Sequence, residues 1–217
     1  MRELVSHLVD RCLFYKGGIY IEAGANNGMR QSSTMFLEKH LGWKGILIEP
    51  NVKKMEICKA NRSKENLFYT CALAPNESVK TITGNFDEDD PGESLGASCV
   101  DIANLDYYDD SYKQAIQQKI KDKKQIEVPA KTLNSILSEN QLYKIDFLSL
   151  DLEGYELEIL KSMNFDMFDV SYIMVETANI EKYENLVNEF MKNNNYTHYK
   201  KISNNDHLYK KNKRKST

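Results

Sequence analysis

Apolar runs of strand length alternate with amphipathic stretches of helix length along this chain, an order that predicts a parallel sheet with helices on both faces. Gly17-Gly18-Ile19-Tyr20-Ile21-Glu22 reads as a first strand. Residues 32–41 carry Met35, Phe36 and Leu41 near helical spacing, and Gly45-Ile46-Leu47-Ile48-Glu49 is a second strand, which completes a βαβ unit. Residues 52–61 follow as a helix entered through Glu49-Pro50-Asn51, residues 67–72 as a third strand, and residues 79–83 alternate like a strand on a half-exposed sheet. The pattern then breaks. Asp87-Glu88-Asp89-Asp90-Pro91-Gly92 is acidic turn chemistry and Asp106-Tyr107-Tyr108 is acidic and aromatic, so about 84–124 reads as an insertion, either a functional lid or an unstructured stretch. Regular order resumes with a strand at 126–129, a helix at 132–138, and the nearly unbroken apolar run 145–151, which suits a central strand. A helix at 155–163, a strand at 172–176, a helix at 181–192 and strands at 196–202 and 208–210 complete the prediction. The basic end, 210–217, reads as a frayed tail.

Composition narrows the class. The 217 residues are 41% hydrophobic and 28% charged, which suits one globular domain with a sizeable core. A net charge of −3 argues against a nucleic-acid binder with a basic surface. No apolar stretch reaches bilayer length and residues 1–7 lack a signal-peptide centre, so the expectation is a cytoplasmic protein without a membrane span. Cys12, Cys58, Cys71 and Cys99 are irregularly spaced and read as free thiols. His7, His40, His198 and His207 are dispersed in sequence, and surface or structural roles are expected of them rather than a catalytic dyad or metal cluster.

Three groups of residues carry candidate chemistry. The first is Glu22-Ala23-Gly24-Ala25-Asn26-Asn27-Gly28, a glycine loop at the carboxyl end of the first strand, where open α/β sheets bind ligands. Gly24 permits a tight turn and Gly28 a close approach of backbone to a ligand. A dinucleotide loop would carry a third glycine, and an acid at Glu22 repels pyrophosphate but suits ammonium and sulfonium groups. The second is Glu49, about 20 residues beyond the loop, where an acid accepts hydrogen bonds from the ribose hydroxyls of a nucleoside. The third is Asp151-Leu152-Glu153-Gly154-Tyr155-Glu156. On an extended backbone Asp151 and Glu153 face the same way, and such a pair can deprotonate or orient a hydroxyl or hold a divalent cation. Helix capping by either acid is the alternative. Glu176 closes a strand at the same edge and is a candidate for the acceptor pocket. Tyr107, Tyr108 and Tyr112 would either stack on a sugar ring or tie the acidic loop to the body.

Four blocks in order make the chain resemble the FkbM-type methyltransferases. They are Ile21-Glu22-Ala23-Gly24-Ala25-Asn26-Asn27-Gly28, the run from Gly42-Trp43 to Glu49-Pro50-Asn51, Val128-Pro129-Ala130-Lys131-Thr132-Leu133, and the run from Ile145 to Glu156. The resemblance implies a Rossmann-like class I methyltransferase fold: a mostly parallel seven-stranded sheet with an antiparallel last strand. It implies S-adenosylmethionine as cofactor and O-methylation of hydroxyls, often on carbohydrates. By that likeness Glu22, Gly24, Ala25, Asn26 and Gly28 surround the methionine moiety, Glu49 and Pro50 the ribose, and Ala72 the adenine. Asp151 also borders the cofactor, Asp151 and Glu153 are the catalytic candidates, and Tyr155 and Glu176 bind the acceptor. The family commonly has Asp where Glu22, Asn27 and Asn134 stand, so Asn27 removes a carboxylate. The alternative is a nucleoside-binding module of the same fold without turnover. The expected partner is a small-molecule or saccharide acceptor rather than a nucleic acid.

Overall fold

The computed structural model describes residues 12–84 and 125–213, together with Asp110, Ser111, Lys113, Gln114 and Gln118. The insertion expected at about 84–124, including Tyr107, Tyr108 and Tyr112, lies almost wholly outside the described residues, as do Cys99 and 214–217. In chain order the elements are β1 (Ile19–Ala23), α1 (Met35–Leu41), β2 (Lys44–Ile48), α2 (Val52–Asn61), β3 (Leu67–Tyr69), β4 (Ala72–Ala74) and β5 (Thr81–Gly84). There follow β6 (Ile126–Thr132), α3 (Leu133–Glu139), β7 (Lys144–Leu150), α4 (Glu156–Ser162), β8 (Asp169–Glu176), α5 (Glu181–Asn193), β9 (Tyr196–Lys201) and β10 (Asp206–Lys211).

Seven strands form one sheet in the order β3-β2-β1-β7-β8-β10-β9. The pairings from β3 through β8 are parallel, and only β10 runs against its neighbours β8 and β9. Side-chain alternation splits the core between two faces. Ile21, Ala23, Ile46, Ile48, Leu148 and Leu150 pack under α3, α4 and α5, while Tyr20, Leu47, Phe147 and Met174 pack under α1 and α2. Strands buried on both faces explain the nearly unbroken apolar run 145–150, which a half-solvated sheet would have interrupted at every second residue.

Four expectations are corrected. The run 67–72 is not one strand: β3 joins the large sheet, and after Thr70-Cys71 the chain enters a second, three-stranded sheet in the order β4-β6-β5. β6 extends past Pro129 to Thr132, pairing antiparallel with β5 up to Pro129 and parallel with β4 from Ala130, so the proline sits where the ladder changes sides. The first helix starts at Met35 rather than residue 32, because Ser32, Ser33 and Thr34 bond to Glu22 instead. Lys210 and Lys211 are not frayed but belong to β10, with Lys211 Nζ 2.7 Å from Asp169.

Candidate active site

The strand order reverses between β1 and β7, and the loops leaving these two strands meet. Gly24 and Ala25 donate their N–H groups to the Ile48 carbonyl, both at 3.0 Å, and Asp151 N–H donates to the Ala23 carbonyl at 3.1 Å. Gly24 has φ +85°, and a β-carbon there would lie 2.0 Å from the Asp151 carbonyl oxygen. Only glycine fits between the two chains. Gly28, at φ +76°, closes the loop by donating to the Ala25 carbonyl at 2.9 Å. Its requirement differs from the expected approach to a ligand: a β-carbon would stand 2.8 Å from both Cys58 Sγ and Arg62 Cγ, so the pressure comes from α2. Asn26 takes the left-handed conformation at φ +49°, and Asn27 Oδ1 accepts from the backbone of Met29 and Arg30. An amide oxygen therefore does the turn-forming work that an Asp at position 27 would do.

Glu22 faces α1, buried and saturated. Its carboxylate accepts from Ser32 Oγ, Ser33 N–H and Thr34 Oγ1, and pairs with Arg62 Nη1 at 3.1 Å. The Arg62 guanidinium also reaches Glu38 Oε2 at 2.8 Å, Tyr20 Oη at 2.8 Å and the Gly28 carbonyl at 3.2 Å. The glycine loop is thereby tied through one cation to β1, α1 and the end of α2. Sequence reading missed Arg62, because nothing local separates it from the lysines 53, 54 and 59 earlier in the same segment.

Glu49, immediately after β2, is 6% exposed. Oε2 accepts from Asn26 N–H and Oε1 from Asn51 N–H, both at 2.9 Å, so the residue clasps the glycine loop to the start of α2. Burial raises its pKa, opposed by the Asn51 N–H, the Lys54 charge and the Asn26 N–H. Each carboxylate oxygen has the lone-pair capacity for a second donor. Pro50 follows it at the turn into α2, whose first residues are capped by Asn51 Oδ1 accepting from Lys54 N–H. Ala72 is buried at the start of β4.

The third group lies on the adjoining strand ends. Glu153 is not on an extended backbone: β7 ends at Leu150, and Glu153 has φ +54°. The expected alternation is corrected, yet Asp151 and Glu153 still lie close enough to interact. Burial holds the Asp151 carboxyl well above the usual range, reinforced by Glu176, by Glu153 and by Glu156. Glu176 lies close enough to Asp151 for its charge to be the strongest influence after burial. Glu156 plays the capping role considered for its neighbours. Fully buried, it accepts from Leu152 N–H at 2.7 Å, Gly154 N–H at 3.1 Å and Tyr183 Oη at 2.7 Å. Burial and then Glu176 push its pKa up to about 7. Tyr155, half-buried, sits at the start of α4 against the core, and Glu176 closes β8, accepting from Asn205 Nδ2 at 3.2 Å. Asp206, opposite Glu176 in the ladder, adds another carboxyl whose pKa is raised by burial and by Glu176. Among the described residues no group of three or more His, Cys, Asp or Glu side chains is arranged to hold a metal ion, and no helix is long and apolar enough to cross a membrane.

A central parallel sheet in this order, with a glycine loop and acids at its reversal point, defines a Rossmann-like methyltransferase fold. Residues 22–198 match the family model described as the methyltransferase FkbM domain, and the chain belongs to that family. Methyltransferase FkbM from Methylobacillus flagellatus KT shares the fold with a TM-score of 0.50 at 13% identity, over 89% of this chain and 43% of that one. The chain thus spans less than half of that protein's length. Aeropyrum pernix fibrillarin, in a structure with natively bound S-adenosyl-L-methionine, aligns with a TM-score of 0.46 at 9% identity, over 95% of this chain and 71% of that one. No curated protein matches the chain in sequence.

Proposed function

We propose that the chain transfers a methyl group from S-adenosylmethionine to a hydroxyl oxygen of a carbohydrate-like acceptor. The observation that carries this reading is the clasp of Glu49 on the Gly24–Gly28 loop at the ends of β1 and β2. Its donor chemistry fits the cofactor: the free lone pairs of Glu49 suit two ribose hydroxyls, with Pro50 beside them. Gly24, Ala25, Asn26 and Gly28 would border the methionine moiety, Ala72 the adenine, and Asp151 the neighbouring strand end. Glu22 would serve this site through Arg62 and the loop, since its oxygens already hold protein donors.

When bound, the cofactor supplies an electrophilic methyl group. The chain's own contribution is orientation and proton handling. Asp151 or Glu153 would accept the acceptor's hydroxyl proton, and Tyr155 and Glu176 would line the acceptor's approach. Burial and the neighbouring Glu176 favour the protonated form of Asp151, and a neighbouring cation would favour release of that proton and leave a base at the strand edge. Calorimetry with S-adenosylmethionine and with its demethylated product tests the cofactor assignment; binding of both is expected, and silence from both overturns it. Radiolabelled methyl transfer to a panel of mono- and oligosaccharides tests the acceptor class. Glu153→Gln with cofactor binding intact and turnover unchanged would remove Glu153 from the chemistry.

A further inference from the structure

Two of the four histidines that look dispersed in sequence meet in the fold. His198 lies in β9 and His207 in β10, and the antiparallel pairing of these strands shifts register at Leu208/Tyr209. Tyr196 and Tyr209 belong to the core packed by α5, and His198 and His207 each stand two residues from one of them, so alternation along β9 and β10 puts both histidines on that face. The result is a contact of 3.0 Å between His198 Nε2 and His207 Nδ1, with ring centroids 5.1 Å apart.

We propose that these two nitrogens form a binding site for a late divalent transition-metal ion, with zinc as the probe of choice, and that Glu184 is its orienting partner. Metal–nitrogen bonds of about 2.0–2.1 Å at adjacent coordination positions place two imidazole nitrogens roughly 3.0–3.4 Å apart, which matches the separation observed. Glu184 Oε1 accepts from His207 Nε2 at 2.8 Å, the carboxylate–histidine arrangement that fixes a metal ligand's tautomer. With Nε2 protonated, Nδ1 of His207 carries its lone pair toward His198. With His207 Nε2–H given to Glu184, the 3.0 Å contact is a hydrogen bond from His198 Nε2–H to His207 Nδ1; an ion would take the place of that proton, with His198, an exposed residue, carrying its proton on Nδ1 instead.

The surroundings fit this use. His207 is 4% exposed and held rigidly, whereas His198 gives an ion access from solvent. Lys201, a neighbouring cation, is engaged by Glu184 at 2.7 Å, so its charge is offset where the ion would sit. Tyr209 Oη donates to Asn188 Oδ1 at 2.8 Å and seats the hairpin on α5 beside the histidines. Water would fill the remaining positions, since two imidazoles alone do not satisfy zinc. Bound metal would cross-link the edge strand β9 to β10 one residue from Asp206, which faces Glu176.

Zinc titration of the tag-free full chain by calorimetry and thermal melting tests the site. The expected result is micromolar binding at one site and a melting temperature raised by zinc but not by magnesium, which prefers oxygen ligands. His198→Ala, at an exposed position, should abolish both effects, and Glu184→Gln should weaken zinc about 10- to 100-fold. In nitrogen-15 spectra His198 Nε2 and His207 Nδ1 should be the atoms that shift. Absence of binding up to about 1 mM zinc overturns the site, as does binding undiminished in His198→Ala.

Discussion

Gly24 shows how one atom decides this site. Gly24→Ala would drive a methyl group to within 2.0 Å of the Asp151 carbonyl and retain a left-handed backbone at φ +85°. Separation of the β1 and β7 loops is the only relief, so we expect a loss of about 2–4 kcal/mol in urea unfolding and no calorimetric signal with S-adenosylmethionine. Glu156 makes a prediction of opposite character. Its folded pKa of about 7, raised by burial and then by Glu176, means that the native state favours its protonated form. Its contribution is complete below the unfolded value of about 4.5 and is lost as pH rises to about 7, on the order of 3 kcal/mol. Glu156→Gln keeps an acceptor for the Leu152 and Gly154 N–H groups and carries no charge, so its stability should be flatter across that window. Denaturant melts between about pH 4.5 and 8 read the difference; parallel pH profiles for the two proteins would reject the assignment.

Arg62 belongs to the scale of elements, since it joins the end of α2 to β1, α1 and the glycine loop. Arg62→Met would leave Glu22 and Glu38 buried without their cation, a change worth about 3–5 kcal/mol. Arg62→Lys would keep a charge but lose the fork that reaches both carboxylates and Tyr20. We expect Arg62→Lys to fold with a lowered melting temperature and to bind S-adenosylmethionine at least tenfold more weakly, because the loop's anchor is slack; unchanged affinity would confine Arg62 to stability. The sequence makes the frame readable where period and burial agree: β1, β2, β7 and β8 sit where the apolar runs predict them. It is silent where the determinant is distant. Ser32 to Thr34 have helical context but bond to Glu22, the run 67–72 divides between two sheets, and the pairing of β9 with β10 that brings His198 to His207 has no local signature. The candidate site was legible as a glycine loop and four acids beyond it, Glu49, Asp151, Glu153 and Glu176, not as the hydrogen bonds around them.

At the scale of the whole molecule the two sheets differ in support. The seven-stranded sheet is covered on both faces by the two large core clusters, whereas the β4-β6-β5 sheet rests on Ala72, Ala74, Ile82, Val128 and Ala130. Smaller apolar cores open at lower free energy, so amide exchange should be faster over 72–84 and 126–130 than over 145–150 and 170–175. Ala72, placed beside the adenine by the proposed function, belongs to this weaker sheet. Cofactor binding would then couple the sheets, since Glu49 and the glycine loop belong to one and Ala72 to the other. Saturating S-adenosylmethionine, at about 100 times its dissociation constant, adds about 2.7 kcal/mol of global stability. Its added protection should concentrate at 24–28, 49–51 and 71–74 and spare the hairpin 196–211. Protection confined to the large sheet would detach Ala72 from the cofactor while leaving Glu49 and the loop in place. Protection spread evenly over all strands would instead mean that exchange proceeds through global unfolding, with no separate opening of the small sheet.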